Sequence, residues 1–285
     1  MRFKIYISVC IAGLTMLVWS ASAATSTVER IASAGKIEAS CDFEKELIPP
    51  VMKGAYEAPL SVQKGEGALG SAGFLRVGPH TFPSVGARIH VVFTVTEDTW
   101  LGFSARKEGG GGVGVLFADL RQNKNVTANV EMPDDGSWGT FRINVDKIGM
   151  SVGTPVQHIS FFVANRMQAP VAFYLDNICL GHGRPADIPS APVAVNGQTT
   201  NDMVTITWQA PSSACGLMEY RVYRGFHPDF ARDERRLVGQ VQKRIFFDST
   251  FARPTTYYYA VRVVDFAGNE SQDTGATALN LTEAK

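Results

Sequence analysis

The side chains of this sequence able to make or break bonds are few and scattered. The five histidines are His80, His90, His158, His182 and His227, and no two are spaced i, i+2 or i, i+4 to grip a metal from one strand or helix face. No Gly-x-Ser-x-Gly elbow, His-Glu-x-x-His pair, phosphate loop or dinucleotide glycine fingerprint occurs. Glycoside hydrolysis needs two carboxylates at a fixed separation. The acidic residues gather instead at turns such as Glu97-Asp98 and Asp134-Asp135. A polysaccharide lyase working through Tyr, His and Arg would have to draw on Trp100, Arg106, His90 and Tyr174, whose geometry nothing in their order fixes. The expectation is a protein with no catalytic residues.

Binding chemistry is better served. A sugar presents flat C–H faces that stack on aromatic rings and hydroxyls that seek charged or amide partners. Along Trp100–Lys107 the period of two places Leu101 and Phe103 on one face and Trp100, Ser104 and Arg106 on the other. An exposed Trp100 beside Arg106 and Ser104 is therefore the expected platform, with Arg76 and Tyr56 as additions. Trp138, at the start of a strand, is expected to pack beneath the sheet.

Overall charge does not point to nucleic acid or to an anionic membrane. Lys plus Arg and Asp plus Glu both number 27, a net charge of zero, so there is no overall footprint for nucleic acid or for an anionic membrane. At the N-terminus, Arg2 and Lys4 precede an apolar run from Ile5 through Trp19 and the small-x-small sequence Ala21-Ser22-Ala23, the pattern of a secretory signal peptide over residues 1–23. The run is shorter than the ~20 residues that span a bilayer. Cys10 lies inside the run rather than at the cleavage site, so no lipid anchor is expected. The mature chain is thus expected outside the cytoplasm, secreted or periplasmic, where disulfides form. Three cysteines remain, Cys41, Cys179 and Cys215. Cys41 and Cys179, at opposite ends of one module, either form a bridge worth about 4–5 kcal/mol in the chain-entropy model or stand as two buried thiols.

The elements that must position these residues all read as strands. Arg88–Val95, Trp100–Lys107, Val113–Leu120, Val126–Met132, Trp138–Val145, His158–Ala164 and Ala172–Leu180 mostly alternate apolar and polar side chains, as a two-sheet sandwich requires. Turn residues separate them, among them Gly109–Gly112 and Pro133-Asp134-Asp135-Gly136. After a short segment at 24–36, the first module is placed at 37–180. Residues 181–192, Gly-His-Gly-Arg-Pro-Ala-Asp-Ile-Pro-Ser-Ala-Pro, form a linker stiffened by proline. A second set of strands fills 193–285, including Val204–Trp208, Tyr220–Arg224, Arg244–Asp248 and Thr255–Asp265. The fold class is all-β: two sandwiches in series.

The second module resembles a fibronectin type III domain. Trp208 stands where that family keeps a buried tryptophan. Tyr257, two residues after Thr255, matches its tyrosine corner, and Val264 to Ser271 looks like its F–G turn. The resemblance implies a spacer or interaction surface of immunoglobulin-like topology, with Trp208 and Tyr257 in the core. The first module resembles the galactose-binding-like jelly roll of carbohydrate-binding modules. It opens on Cys41-Asp42-Phe43-Glu44, closes on Phe173-Tyr174-Leu175-Asp176-Asn177-Ile178-Cys179-Leu180, and holds Trp138-Gly139-Thr140-Phe141-Arg142-Ile143 between them. That resemblance implies a glycan partner and a structural calcium ion held by Glu44 and Asp176. The charge on such a site is lowered by Asn177 in place of a second acid. The alternative is an adhesion or envelope-assembly protein whose jelly roll meets another protein.

Overall fold

The computed structural model describes residues 6–7, 35–44, 52–55, 58–80, 86–108, 112–119, 124–163, 171–200, 202–211, 216–273 and 275–281. The remainder, including Tyr56, Cys215 and all of the expected leader except Tyr6–Ile7, lies outside the described residues. Tyr6–Ile7 runs parallel to Leu116 and Phe117. Among the described residues every regular element is a strand or a short 3₁₀ turn, and none is a helix long and apolar enough to cross a membrane.

The N-terminal domain is a jelly-roll sandwich. One sheet orders Met52–Ala55, Gly86–Ile89, Pro155–Val163 and Val113–Asp119, with Lys124–Val130 also on Val113–Asp119 and Phe93–Thr94 on Pro155–Val163. The other orders Gly139–Asn144, Thr99–Glu108, Val171–His182, Gly73–His80 and Leu60–Lys64. Lys36–Cys41 pairs antiparallel with the second half of Val171–His182, so first and last strands are neighbours. Alternation supplies the core. Leu75, Val77, Leu101, Phe103 and Ala105 face Val113, Val115, Phe117, Ile159 and Phe161, and Phe103 meets Phe161 edge-on at 5.0 Å.

The C-terminal domain has the two sheets of a fibronectin type III-like sandwich. Val193–Thr199, Val204–Gln209 and Ile245–Asp248 form one; Leu237–Val241, Leu217–Gly225, Thr255–Asp265 and Thr277–Leu281 form the other. Trp208 is buried against Tyr220 at 5.1 Å. The Tyr257 hydroxyl accepts the backbone N–H of Ala252 at 3.2 Å, the local tie that the sequence pattern anticipates. Asp248, buried, is paired with Arg224 at 2.6 Å and accepts the Tyr259 hydroxyl at 2.8 Å, so its charge is not left uncompensated.

The segment between the domains does not hang free. The strand Val171–His182 continues through Gly181 and His182, and the chain then turns at Gly183 (φ 58°). Arg184 donates to Asn269 Oδ1 and to the Gly268 carbonyl, while Asn269 Nδ2 donates to the carbonyls of Pro185 (3.0 Å) and Asp187 (3.3 Å). The connection is thereby fastened to the turn after Thr255–Asp265.

The strand register separates Cys41 from Cys179. Cys41 stands opposite Ile178, and Cys179 opposite Ser40. Successive side chains of a strand leave opposite faces. Cys41 accordingly packs on the jelly-roll core, while Cys179 joins Trp100, Phe266 and Ala267 on the outer face. The two sulfurs are not joined. Of the two alternatives left open by the sequence, the bridge is the one set aside.

Candidate functional site

Outward-facing side chains of the six-stranded sheet fall into rows that can be read from its register. One row runs Ser61, Arg76, Tyr174 and Arg106; the next holds Gln63 and Phe74, followed by Asp176, Ser104 and Thr140. Beyond a bulge between Asp176 and Cys179 come Cys179 with Gly102, and then Gly181 with Trp100. What lies over each part of this face decides its chemistry.

The third and fourth rows are covered by the fibronectin-like domain. Phe266, fully buried, lies against Gly102, where a Cβ would stand 2.0 Å from the ring. Trp100, Cys179, Phe266 and Ala267 make one cluster, joined by Ile37 and Met218. Trp100 is 0% exposed, and its indole N–H donates to the Gly183 carbonyl at 2.7 Å. The expected stacking platform at Trp100 is therefore corrected: this ring is on the outer face, as alternation requires, but serves as domain interface. Ser104 is likewise 0% exposed and shares a 3.0 Å hydrogen bond with Thr140, so it too is not offered to a ligand.

The second row is roofed by the 65–73 loop. Leu69 takes a left-handed conformation (φ 53°) that pushes its side chain into the C-terminal core, and the Tyr220 hydroxyl donates to its carbonyl at 2.7 Å. Buried Asp176 holds the loop down by accepting the Ala68 N–H at 2.9 Å, the Ser71 hydroxyl and the Asn177 N–H at 2.8 Å. Burial raises its pKa to about 7 despite those donors. Glu44 accepts the N–H groups of Ala72 (2.9 Å) and Gly73 (3.4 Å) on the other side of the same loop. Both residues expected to hold calcium thus reach one place, but the groups aimed at them are donors, whereas calcium requires six to eight oxygens. Among the described residues no three His, Cys, Asp or Glu side chains gather. The donor set fits a hydrogen-bonded carboxyl and does not fit a calcium ion.

The first row remains open. Arg106 lays its guanidinium over Tyr174 (4.5 Å), Trp138 (5.1 Å) and Phe74 (5.4 Å), and Phe74 meets Trp138 and Tyr174 edge-on at 5.5 and 5.6 Å. Trp138 is half-buried rather than packed beneath the sheet, and its N–H donates to the Glu66 carbonyl at 3.1 Å. Arg76, on the same face, is committed to Glu108 at 2.9 Å, and Glu108 also accepts the Tyr174 hydroxyl at 2.7 Å. These two hydrogen bonds, Tyr174's first, hold the Glu108 carboxyl below its ordinary range.

Beside this aromatic cluster lies a cleft of about 530 Å³ lined by Glu66, Leu69, Arg106, Trp138 and Trp208 and by Gln242, Lys243 and Arg244 of the C-terminal domain. The 242–244 turn is held across the cleft: the Thr140 N–H donates to Gln242 Oε1 and Gln242 Nε2 donates to the Thr140 carbonyl, both at 3.2 Å. Arg244 approaches Glu66 at 3.9 Å. Clefts between domains, with an aromatic wall and a few polar groups, are common ligand sites. Of the expected ligand residues, Arg106 lines it, Arg76 stands beside its wall engaged by Glu108, Trp100 and Ser104 are buried elsewhere on the sheet, and Tyr56 lies outside the described residues. Missed from sequence were Trp138 and the 242–244 turn. Trp138 carried the signal of an aromatic beside a glycine-rich turn; the turn carried none.

Comparison with known proteins locates the chain only partly. No family model matches it. Exoglucanase B of Cellulomonas fimi is 34% identical over 97 residues, 33% of this chain and 8% of that protein. The chain therefore spans less than a tenth of its curated relative. Among solved structures, the Endo-D glycoside hydrolase domain of Streptococcus pneumoniae R6 aligns over 82% of this chain and 38% of its own, at 14% identity and TM-score 0.39. A β-1,2-glucanase of Parabacteroides distasonis aligns over 82% and 37%, at 17% identity and TM-score 0.37. An Fn3-like protein of Clostridium thermocellum aligns over 35% of this chain and 99% of its own, at 20% identity and TM-score 0.29.

Proposed function

We propose that this chain is an exported glycan-binding protein that holds a saccharide in the interdomain cleft without cleaving it. The carrying observation is the juxtaposition of the half-buried Trp138, stacked under Arg106, with hydrogen-bonding side chains from both domains. A sugar ring would lay a C–H face on the indole and direct its hydroxyls to Gln242, Arg244 and Glu66. The resemblance of the first module to carbohydrate-binding jelly rolls supports this reading, as does a relative named for acting on glucans. Among the described residues lining the cleft, Glu66 is the one carboxylate. Hydrolysis by an acid and a base would need two, so binding without cleavage is the favoured chemistry.

The test is binding of the full mature chain to a panel of soluble polysaccharides by affinity electrophoresis, with reducing-end release followed over long incubation. Retardation by at least one polymer, lost in Trp138→Ala, is the expected result. Release of reducing ends or unsaturated products would replace binding with catalysis. An unretarded protein on every polymer would turn the reading toward a protein partner.

A further inference from the structure

The cleft carries a guanidinium that, among the described residues, no carboxylate of its own domain grips. Arg106 has no ion-pair partner among the described residues, although it stands on a sheet where other cations are paired: Arg76 with Glu108, and Lys107 with Asp134. Glu108, two residues along the same strand face, feels the Arg106 charge, but its oxygens are taken by Arg76 and the Tyr174 hydroxyl. Three rings surround the Arg106 guanidinium at 4.5 to 5.4 Å, and rings offer its N–H donors no oxygen acceptor. Across the cleft the C-terminal domain adds Lys243 and Arg244. Glu66 alone opposes these three cations in the lining, its side chain 84% exposed and 3.9 Å from Arg244. Asp135, on the adjoining turn, is bound to the Ser137 N–H at 2.9 Å.

We propose that the ligand is an acidic polysaccharide whose carboxylate is gripped by Arg106, with Lys243 and Arg244 of the fibronectin-like domain as the second, longer-range source of attraction. This rests on the glycan reading above and narrows it to uronate-bearing chains. A planar guanidinium matches a carboxylate with two parallel N–H···O bonds, which a neutral hydroxyl cannot reproduce. The consequence for architecture is that the C-terminal domain is a wall of the site and not merely a spacer.

The test uses the full mature chain with polygalacturonate, alginate and glucuronoxylan, each beside its carboxyl-reduced counterpart, and with neutral β-glucans. Binding to at least one uronate polymer is expected, falling about tenfold on carboxyl reduction and weakening as salt is raised. Arg106→Gln is expected to lose about tenfold on the uronate polymer and little on the reduced one. Arg106→Lys, with charge but no fork, should fall between. Lys243→Gln with Arg244→Gln should lower affinity severalfold and flatten the salt dependence, read in protein whose melting temperature matches wild type. Equal binding to native and carboxyl-reduced polymer, or to neutral glucans alone, overturns the acidic-ligand proposal while glycan binding stands. Silence on every polymer removes both.

Discussion

At the scale of single residues, the site turns on which tryptophan is offered to solvent. Trp100 lies in one strand and Trp138 just before its neighbour Gly139–Asn144, yet one is sealed against Phe266 and the other lines a cleft. Trp138→Ala removes the stacking surface and the indole beneath Arg106 while leaving the sandwich core untouched. Glycan affinity should fall about tenfold, or ~1.4 kcal/mol, with a melting temperature close to wild type. Asp176 makes a prediction of another kind. Its folded pKa, raised to about 7 by burial, exceeds the unfolded value near 3.8. The native state therefore keeps its proton over a window in which the unfolded chain has lost it. The stabilisation from this proton is complete below about pH 4 and lost as pH rises to about 7, a swing of up to about 4 kcal/mol. Thermal unfolding at pH 4 to 8 should show that decline, and Asp176→Asn should flatten it. Millimolar EDTA should leave the wild-type melting temperature unchanged at pH 8. A fall of several degrees would instead mean that a cation displaces the Ala68 and Ser71 donors.

At the scale of elements, close approach between the domains is made by a strand and two turns. Gly102 sits mid-strand because Phe266 occupies the space a side chain would take, and a Cβ at Gly216 (φ 65°) would stand 2.9 Å from the same ring. Phe266→Ala would leave a cavity between sandwiches rather than inside either. The expected loss is about 3–5 kcal/mol in chemical denaturation. The paired strands Lys36–Cys41 and Val171–His182 carry their cysteines on opposite faces. Peptide mapping without reductant should recover no Cys41–Cys179 cross-linked peptide, and finding one would require a one-residue slip of that register.

At the scale of the whole molecule, apolar contacts and hydrogen bonds from both sandwiches tie the domains together around the cleft. Leu69 enters the C-terminal core, Phe266 enters the face of the jelly roll, and Arg184, Asn269, Gln242 and Thr140 tie the rim. Domains joined only by a polar interface move relative to one another; an apolar one resists this. Calorimetry of the full chain should show a single transition. Gly102→Val, which drives a side chain into the Phe266 ring, should split it in two and weaken glycan binding as well, because the 242–244 turn would no longer be held over Trp138. Binding unaltered after such a split would separate the cleft from the interface.

Strand alternation, turn residues and the pattern of Trp208 and Tyr257 were enough to read two all-β sandwiches, since a period of two is local and each strand carries its own record of which face is buried. The same alternation correctly put Trp100, Ser104 and Arg106 on one outer face. It did not tell which part of that face another domain would cover, because burial by a distant segment leaves no mark on the strand beneath except a glycine such as Gly102. The pairing of Arg76 with Glu108, the donors around Asp176 and the approach of Gln242 to Thr140 all join residues far apart in the chain. Sequence thus determined the layers and their inward faces. The packing of one domain on the other decided which outward side chains became interface and which were left lining a cleft.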